Sequence, residues 1–487
     1  MTDPHDPSAA LAYLSANDLS EEMARGRLTS FALVTTLLER IAAIDAPGTP
    51  TSLNSIAAAS ADALDVARER DVERDRGALR GPLHGLPVLV KDNVEAVGLP
   101  GAAGSTALLG RPTRDAPLVT RLRDAGAVIL ASTNLSQWAN IRSMRSTSGY
   151  SASAGLVGNP WALDRSAGGS SSGSGAAVAA GLAPLAVGTE TDGSIVCPAS
   201  VNGVVGLKPT VGAVPTARVV PISASQDSPG PMARTVDDVA LLYGVLASEA
   251  APTPTTPSFA VTTNWRTGHP RFDRHFEDFV GALRGSGVTM TEREVAQPSP
   301  SDYEDELAVL LAELRDDLST YLRERPGGGV ASLDDVIAFE DERDDVEQRY
   351  FGHEFFTMAA ESGGRSGPAY AEARRRNLEW ALATCLEPAL AGVDVLIAPA
   401  YGPSWKSDLV VGGHPGPASV ATMAPAIAGW PIMSVPIGLV QDLPVGLALI
   451  GRAHSEWTLL DGARVIERVA AQFSPTPRPL WRAPQRG

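Results

Sequence analysis

The sequence predicts an α/β fold: a central mixed, twisted β-sheet covered by helices on both faces. Three observations carry this. Residues 88–90, a helical stretch at 114–125 and the apolar run 127–131 give strand, helix and strand at the spacing of a βαβ unit. Strand-like texture returns far along the chain, at 393–398, 433–437 and 445–450. Hydrophobic residues make up 44% and charged residues 20% of the 487 positions, a composition that excludes a disordered or fibrous chain.

Taken in order, residues 8–45 read as two amphipathic helices. Thr29 and Ser30 cap the second, and Leu33, Leu37, Leu38 and Ile41 line its apolar face. Residues 55–76 read as a third helix, rich in alanine and in i,i+4 charge pairs, which Gly77 ends. Residues 1–80 are thus helical scaffold. The turn-rich segment 81–87 leads into the buried strand 88–90, followed at once by Lys91, Asp92 and Asn93. The strand 127–131 runs into Ser132, Thr133 and Asn134, and 142–158 is a polar loop.

A Gly/Ser-rich turn at 168–175, a small-residue helix at 175–182, a strand at 185–187 and a second Gly/Ser-rich turn at 188–194 follow. A helix capped by Thr235 spans 235–247, closing a core of residues 81–247. Beyond a Pro/Thr linker at 249–257, residues 258–390 read as a helical insertion, with helices at 303–325, 332–350 and 366–391 and a breaker at 326–329. Residues 391–475 return to the sheet and end in a helix at 455–471. One domain over 1–487 is expected, with the insertion as a wall or lid.

Composition narrows the partners. A net charge of −16 disfavours nucleic acid and anionic membranes, which attract basic faces. No run reaches membrane-spanning length, and the amino terminus lacks the basic and apolar regions of a signal peptide, so a cytoplasmic protein is expected. Cys197 and Cys385 suit neither a disulfide framework nor a metal cluster and read as buried small hydrophobes. No metal or cofactor is predicted. A small-molecule substrate and a monomer or homodimer are expected.

Lysine is rare. Among 40 basic residues only Lys91, Lys208 and Lys406 are lysines. Burial can make a lysine a neutral base, whereas arginine stays protonated, so each is a candidate for a role arginine cannot fill. Lys91, at the end of a buried strand, is the best placed.

Other chemistries fit poorly. Gly169 to Gly173 match a nucleophile elbow centred on Ser171, but no strand is expected to feed it and no histidine stands in a matching context, although His414 or His454 could be forced into the late position. The Gly-rich turn lacks the lysine and hydroxyl pair of a phosphate loop. No His/Asp/Glu cluster has metal-ligand spacing.

The remaining reading is a serine, serine and lysine system. Lys91-Asp92-Asn93, Gly168 to Gly175, Gly188 to Ser194, Gly206 to Thr210, Asp227 to Arg234 and Leu443 to Leu447 stand in this order. Together they resemble the amidase signature family, over roughly 8–245 and 370–470. Val336 to Phe339 and Phe351 to Glu354 look most like its peptide-amidase and aryl-acylamidase branch. The resemblance implies Lys91 as catalytic lysine, Ser170 after a cis peptide bond, and Ser194 as acylated nucleophile. It also implies an oxyanion hole from the backbone N–H groups of Thr191, Asp192, Gly193 and Ser194.

Asn134, Ser146, Asp227 and Trp430 are candidate substrate contacts. Ser171, Ser172 and Ser174 read as turn and cap residues, Lys208 as structural and Lys406 as surface. Asp192, Glu190, Val196 and Ala167 depart from the commonest family pattern. The first three disfavour the member that transamidates glutaminyl-tRNA. The expected activity is hydrolysis of a linear amide, an aryl amide, carbamate or C-terminal peptide amide. Tyr321, Phe339, Phe351, Phe355 and Phe356 of the insertion, with Trp405 and Trp430, suggest an apolar or aromatic acyl or amine group. The alternatives are a non-catalytic binding protein of this fold and one component of an amidotransferase complex.

Overall fold

The computed structural model describes residues 7–49, 52–110, 112–325, 329–413, 420–474 and 479. Most of the predicted breaker (326–328) and His414 lie outside them. Eleven strands form one mixed sheet. In chain order they are β1 (Ile56–Ala59), β2 (Pro87–Lys91), β3 (Val128–Thr133), β4 (Leu185–Glu190), β5 (Val205–Lys208), β6 (Ser228–Ala233), β7 (Phe259–Thr262), β8 (Met290–Arg293), β9 (Val395–Pro399), β10 (Ile432–Val440) and β11 (Leu443–Ile450). Their order across the sheet is β1-β3-β2-β4-β6-β5-β10-β11-β9-β7-β8.

β2 lies parallel to both β3 and β4, so the three share one carboxyl end. The middle of the sheet, from β4 to β9, is antiparallel, and β7 and β8 are again parallel to β9. β2, β3 and β4 are buried along their whole length, as continuous apolar runs in a covered sheet should be. No helix among the described residues is long and apolar enough to cross a membrane.

The structure corrects four expectations. Residues 8–45 hold three helices, Pro7–Ala12, Ala16–Ala24 and Ser30–Ile44, because Ser15 starts a new one by accepting the Asp18 N–H at 3.0 Å. Residues 55–76 are not one helix. Ile56–Ala59 is the edge strand β1, and the helix begins only at Ala63. Alanine has little strand preference of its own. Here the pairing with β3, and the Asp45 carboxylate that takes the Ser55 and Ile56 N–H groups at 2.8 and 2.9 Å, impose the strand.

The insertion is not purely helical either, since β7 and β8 extend the sheet from within 258–390. Finally, a short strand (Ala162–Ser166) does precede the first Gly/Ser turn, but it belongs to a separate two-stranded hairpin. β6 has the sequence SPGPMA. Its prolines are tolerated because only Met232 and Ala233 pair with β5, leaving Pro229 and Pro231 bonded to one neighbour.

Candidate active site

The shared carboxyl end of β2 and β4 assembles the site, where ligands of open α/β sheets ordinarily bind. Lys91 is the last residue of β2 and is fully buried. Its Nζ stands 2.7 Å from Ser170 Oγ, 2.8 Å from Thr189 Oγ1 and 3.1 Å from the Thr189 carbonyl oxygen. Asn93 donates to the same Thr189 Oγ1 at 3.0 Å. Burial lowers the Lys91 ammonium from 10.5 to about 7, against the opposing pull of the Asp227 and Glu190 carboxylates.

The Gly169–Ser170 peptide bond is cis. Ser136 N–H donates to the Ser170 carbonyl at 3.1 Å and Ser171 N–H to the Ser194 carbonyl at 3.1 Å, so the two turns are laced together. The other serines of the first turn are committed elsewhere. Ser171 Oγ donates to Thr189 O at 3.0 Å, Ser172 Oγ to Gly168 O at 2.5 Å, and Ser174 Oγ lies 2.8 Å from Thr133 Oγ1. Gly173 admits no side chain, since a Cβ would collide with the carbonyl oxygens of Ser55 and Asn134, so the helix Ser172–Ala179 packs backbone against backbone there.

Residues 191–194 bend sharply after β4, with Gly193 at φ +77° and the Tyr401 hydroxyl 2.6 Å from where its Cβ would sit. Glu190 closes this bend. Its Oε2 accepts the N–H groups of Ile195 at 2.6 Å and Val196 at 2.9 Å, just past Ser194. Among the described residues, nothing accepts a hydrogen bond from the backbone amides of Thr191, Asp192, Gly193 or Ser194. Ser194 itself is 8% exposed.

The candidate substrate contacts fare unevenly. Asn134 is fully occupied as a brace: it donates to Asn54 O and Gly155 O at 3.0 and 3.1 Å and accepts from Ser151 Oγ at 2.7 Å. Ser146 Oγ donates to Asn140 at 2.9 Å. Trp430 is engaged through its carbonyl, which accepts from Lys208 Nζ at 2.8 Å. Asp227 is closer to the chemistry. It takes the Thr191 hydroxyl at 2.5 Å and the Ile222 and Ser223 N–H groups at 2.8 and 3.0 Å, and burial raises it to about 6.

Asp227, Thr189, Thr191 and Asn93 line a cavity of about 220 Å³, together with Tyr321 of the helix Pro300–Glu324. Beside it, Trp138, Ala139 and Asn140 all have positive φ, and the Trp138 indole is anchored on Glu340 at 2.8 Å. Of the insertion's aromatics, Phe356 is core, edge-on to Trp138 at 5.6 Å. Burial pushes the Cys197 thiol up to about 12, far from a thiolate.

Sequence reasoning missed Thr189 and Glu190 as participants. Both lie in the stretch it singled out, but a threonine in a strand and a carboxylate before a turn carry no signal until the chain folds back on them.

A family model described as Amidase matches residues 32–460. The chain belongs to the amidase family. It thereby joins the amide-hydrolysing enzymes. This amidase resembles the solved structure of the native peptide amidase from Stenotrophomonas maltophilia, with a TM-score of 0.86 and 38% identity over 96% of this chain and 98% of that one. Mandelamide hydrolase of Pseudomonas putida is 32% identical over 95% of this chain and 92% of its own. A glutamyl-tRNA(Gln) amidotransferase component from Symbiobacterium thermophilum is 32% identical over 95% of this chain and 98% of its own.

Proposed function

We propose that this amidase hydrolyses the C–N bond of a linear amide through an acyl-enzyme on Ser194, with Ser170 as proton relay and Lys91 as base. The observation that carries the reading is the buried Lys91 amine, lowered to about 7 and 2.7 Å from Ser170 Oγ. A neutral amine has two N–H bonds and one lone pair. Donation to the two Thr189 oxygens uses the N–H bonds and turns the lone pair to the Ser170 hydroxyl.

Ser170 can then draw the proton from Ser194 as Ser194 Oγ attacks the carbonyl carbon. The amides of 191–194, without partners among the described residues, supply donors for the developing oxyanion, each typically worth about 2.7–4 kcal/mol. The proton returns through Ser170 to the departing nitrogen. Water then cleaves the ester by the same relay.

Similarity to a peptide amidase and to a mandelamide hydrolase supports a small amide as substrate, and we take it to be a C-terminal peptide amide, aryl amide or carbamate bearing an apolar group, part of which the cavity lined by Tyr321 would receive. The test is mass spectrometry after reaction with a fluorophosphonate. Labelling at Ser194 is expected, and labelling elsewhere defeats the assignment. A panel of anilide, carbamate, ester and peptide-amide substrates then ranks the classes.

The relative from an amidotransferase favours a second reading, one component of a complex that works only with its partner. Gel filtration together with activity of the lone chain separates the two, since an amidohydrolase turns over by itself.

A further inference from the structure

The turn that carries Ser194 is fastened at three places by hydrogen bonds. Asp227 accepts the Thr191 hydroxyl at 2.5 Å, Glu190 takes the Ile195 and Val196 N–H groups, and Cys197 N–H donates to the Gly193 carbonyl at 2.7 Å. A fourth contact is steric. Gly193 has φ +77°, and the Tyr401 hydroxyl oxygen stands 2.6 Å from the place a Cβ would take. Among the described residues, and apart from its chain neighbours, the next nearest atoms are Thr422 Oγ1 and Tyr401 Cζ, both at 3.7 Å. One phenol oxygen therefore closes the space beside Gly193.

Tyr401 is itself held in place. It follows β9 by two residues, its carbonyl accepts from the Ser200 hydroxyl at 2.7 Å and from Gly446 N–H at 3.3 Å, and Ala400 N–H donates to Gly446 O at 3.0 Å. Ser200 belongs to the helix Val196–Asn202, which starts two residues past Ser194, and Gly446 belongs to β11. The Tyr401 backbone is thus tied both to the helix that the turn feeds and to the sheet. Its hydroxyl bonds the hydroxyl of Thr422, a residue only 7% exposed.

Glycine rotates more freely than any other residue, so a turn hinged on one needs an outside contact to hold a single conformation. The two peptide planes that meet at the Gly193 Cα carry the Gly193 and Ser194 N–H groups. Rotation there swings both, and oxyanion donors act only when they are fixed in advance where the charge develops. The phenol oxygen blocks movement of Gly193 toward Tyr401. A phenyl ring alone stops short, since Cζ lies 3.7 Å from the same point.

We propose that Tyr401 is a positioning residue for amide hydrolysis: its hydroxyl, lodged against Gly193, holds the Gly193 and Ser194 amides in the orientation that receives the oxyanion. This rests on the reading of Ser194 as nucleophile and of 191–194 as oxyanion donors.

The experiment measures the rate at which a fluorophosphonate labels Ser194, read by mass spectrometry, because its phosphoryl oxygen needs the same donors. Tyr401→Phe deletes one oxygen and is expected to slow labelling about tenfold or more, with Tm unchanged. With an amide or ester that the enzyme turns over, kcat should fall by a similar factor while KM stays. Gly193→Ala is expected to slow labelling further, since its Cβ meets the hydroxyl. Adding Tyr401→Phe to Gly193→Ala should recover the rate severalfold, because the nearest atoms to that Cβ are then 3.7 Å away. The same substitution thus harms the parent enzyme and helps the alanine variant, a reversal that loss of packing does not produce.

Labelling of Tyr401→Phe at the parent rate, a fall matched by a lower Tm and a higher KM, or no recovery in the double variant overturns the role. Failure of the amidase reading looks different: the unaltered enzyme is then not labelled at Ser194, and the role of Tyr401 falls with it.

Discussion

Glu190 Oε2 accepts the Ile195 N–H at 2.6 Å, reaching over the turn that holds Ser194. With the Val196 contact at 2.9 Å, one carboxylate takes the two amides just beyond the serine and leaves the four amides of 191–194 without partners among the described residues. Glu190→Ala is expected to lower kcat roughly 100-fold, as loss of charged hydrogen bonds worth about 1.5–3 kcal/mol each predicts. KM should move little. Steady-state kinetics checks this, and a normal kcat would mean that the turn holds its shape without the clamp.

Lys91 as a base gives a pH signature. Its folded value of about 7 is below the ordinary 10.5, so the working neutral form is present above 7 and is lost as the pH falls through it. The pH profile of kcat/KM is expected to show an acid limb near 7. Lys91→Arg keeps the charge, cannot supply the neutral form, and should lower activity by about 10²–10⁴, the usual contribution of a general base.

Thr189 tunes that limb. Its hydroxyl accepts from Lys91 Nζ at 2.8 Å, a contact that favours the ammonium over the amine. Thr189→Val removes the acceptor and should move the acid limb to lower pH. An unmoved or raised limb would show that another group sets it.

Arg325 ties the insertion to the loop after β2. It is 7% exposed and donates to Gly101 O at 2.7 Å, Pro100 O at 3.1 Å, Leu108 O at 3.0 Å and the Tyr321 hydroxyl at 2.6 Å. Its guanidinium also lies 3.9 Å from Glu95. Arg325→Met leaves these carbonyls without that donor and Glu95 without that cation in the interior, and is expected to lower stability by about 3 kcal/mol. Urea denaturation with an unchanged slope measures it.

The sequence by itself determined the α/β class, the strands around the site and the order of Lys91, Ser170 and Ser194, because burial and turn chemistry write local patterns into the chain. Continuous apolar runs marked β2, β3 and β4, and rarity marked Lys91. Tertiary structure decided what local pattern cannot. Ile56–Ala59 became a strand only because β3 offered an edge, and Ser228–Ala233 only because β4 accepts a proline-bearing partner. Lys91 meets Ser170 across 79 residues, and Glu306 meets Gln226 across 80. On the proposed mechanism a lysine becomes a base, and a carboxylate a clamp, through the groups folding brings against them. Proximity and desolvation belong to the folded chain.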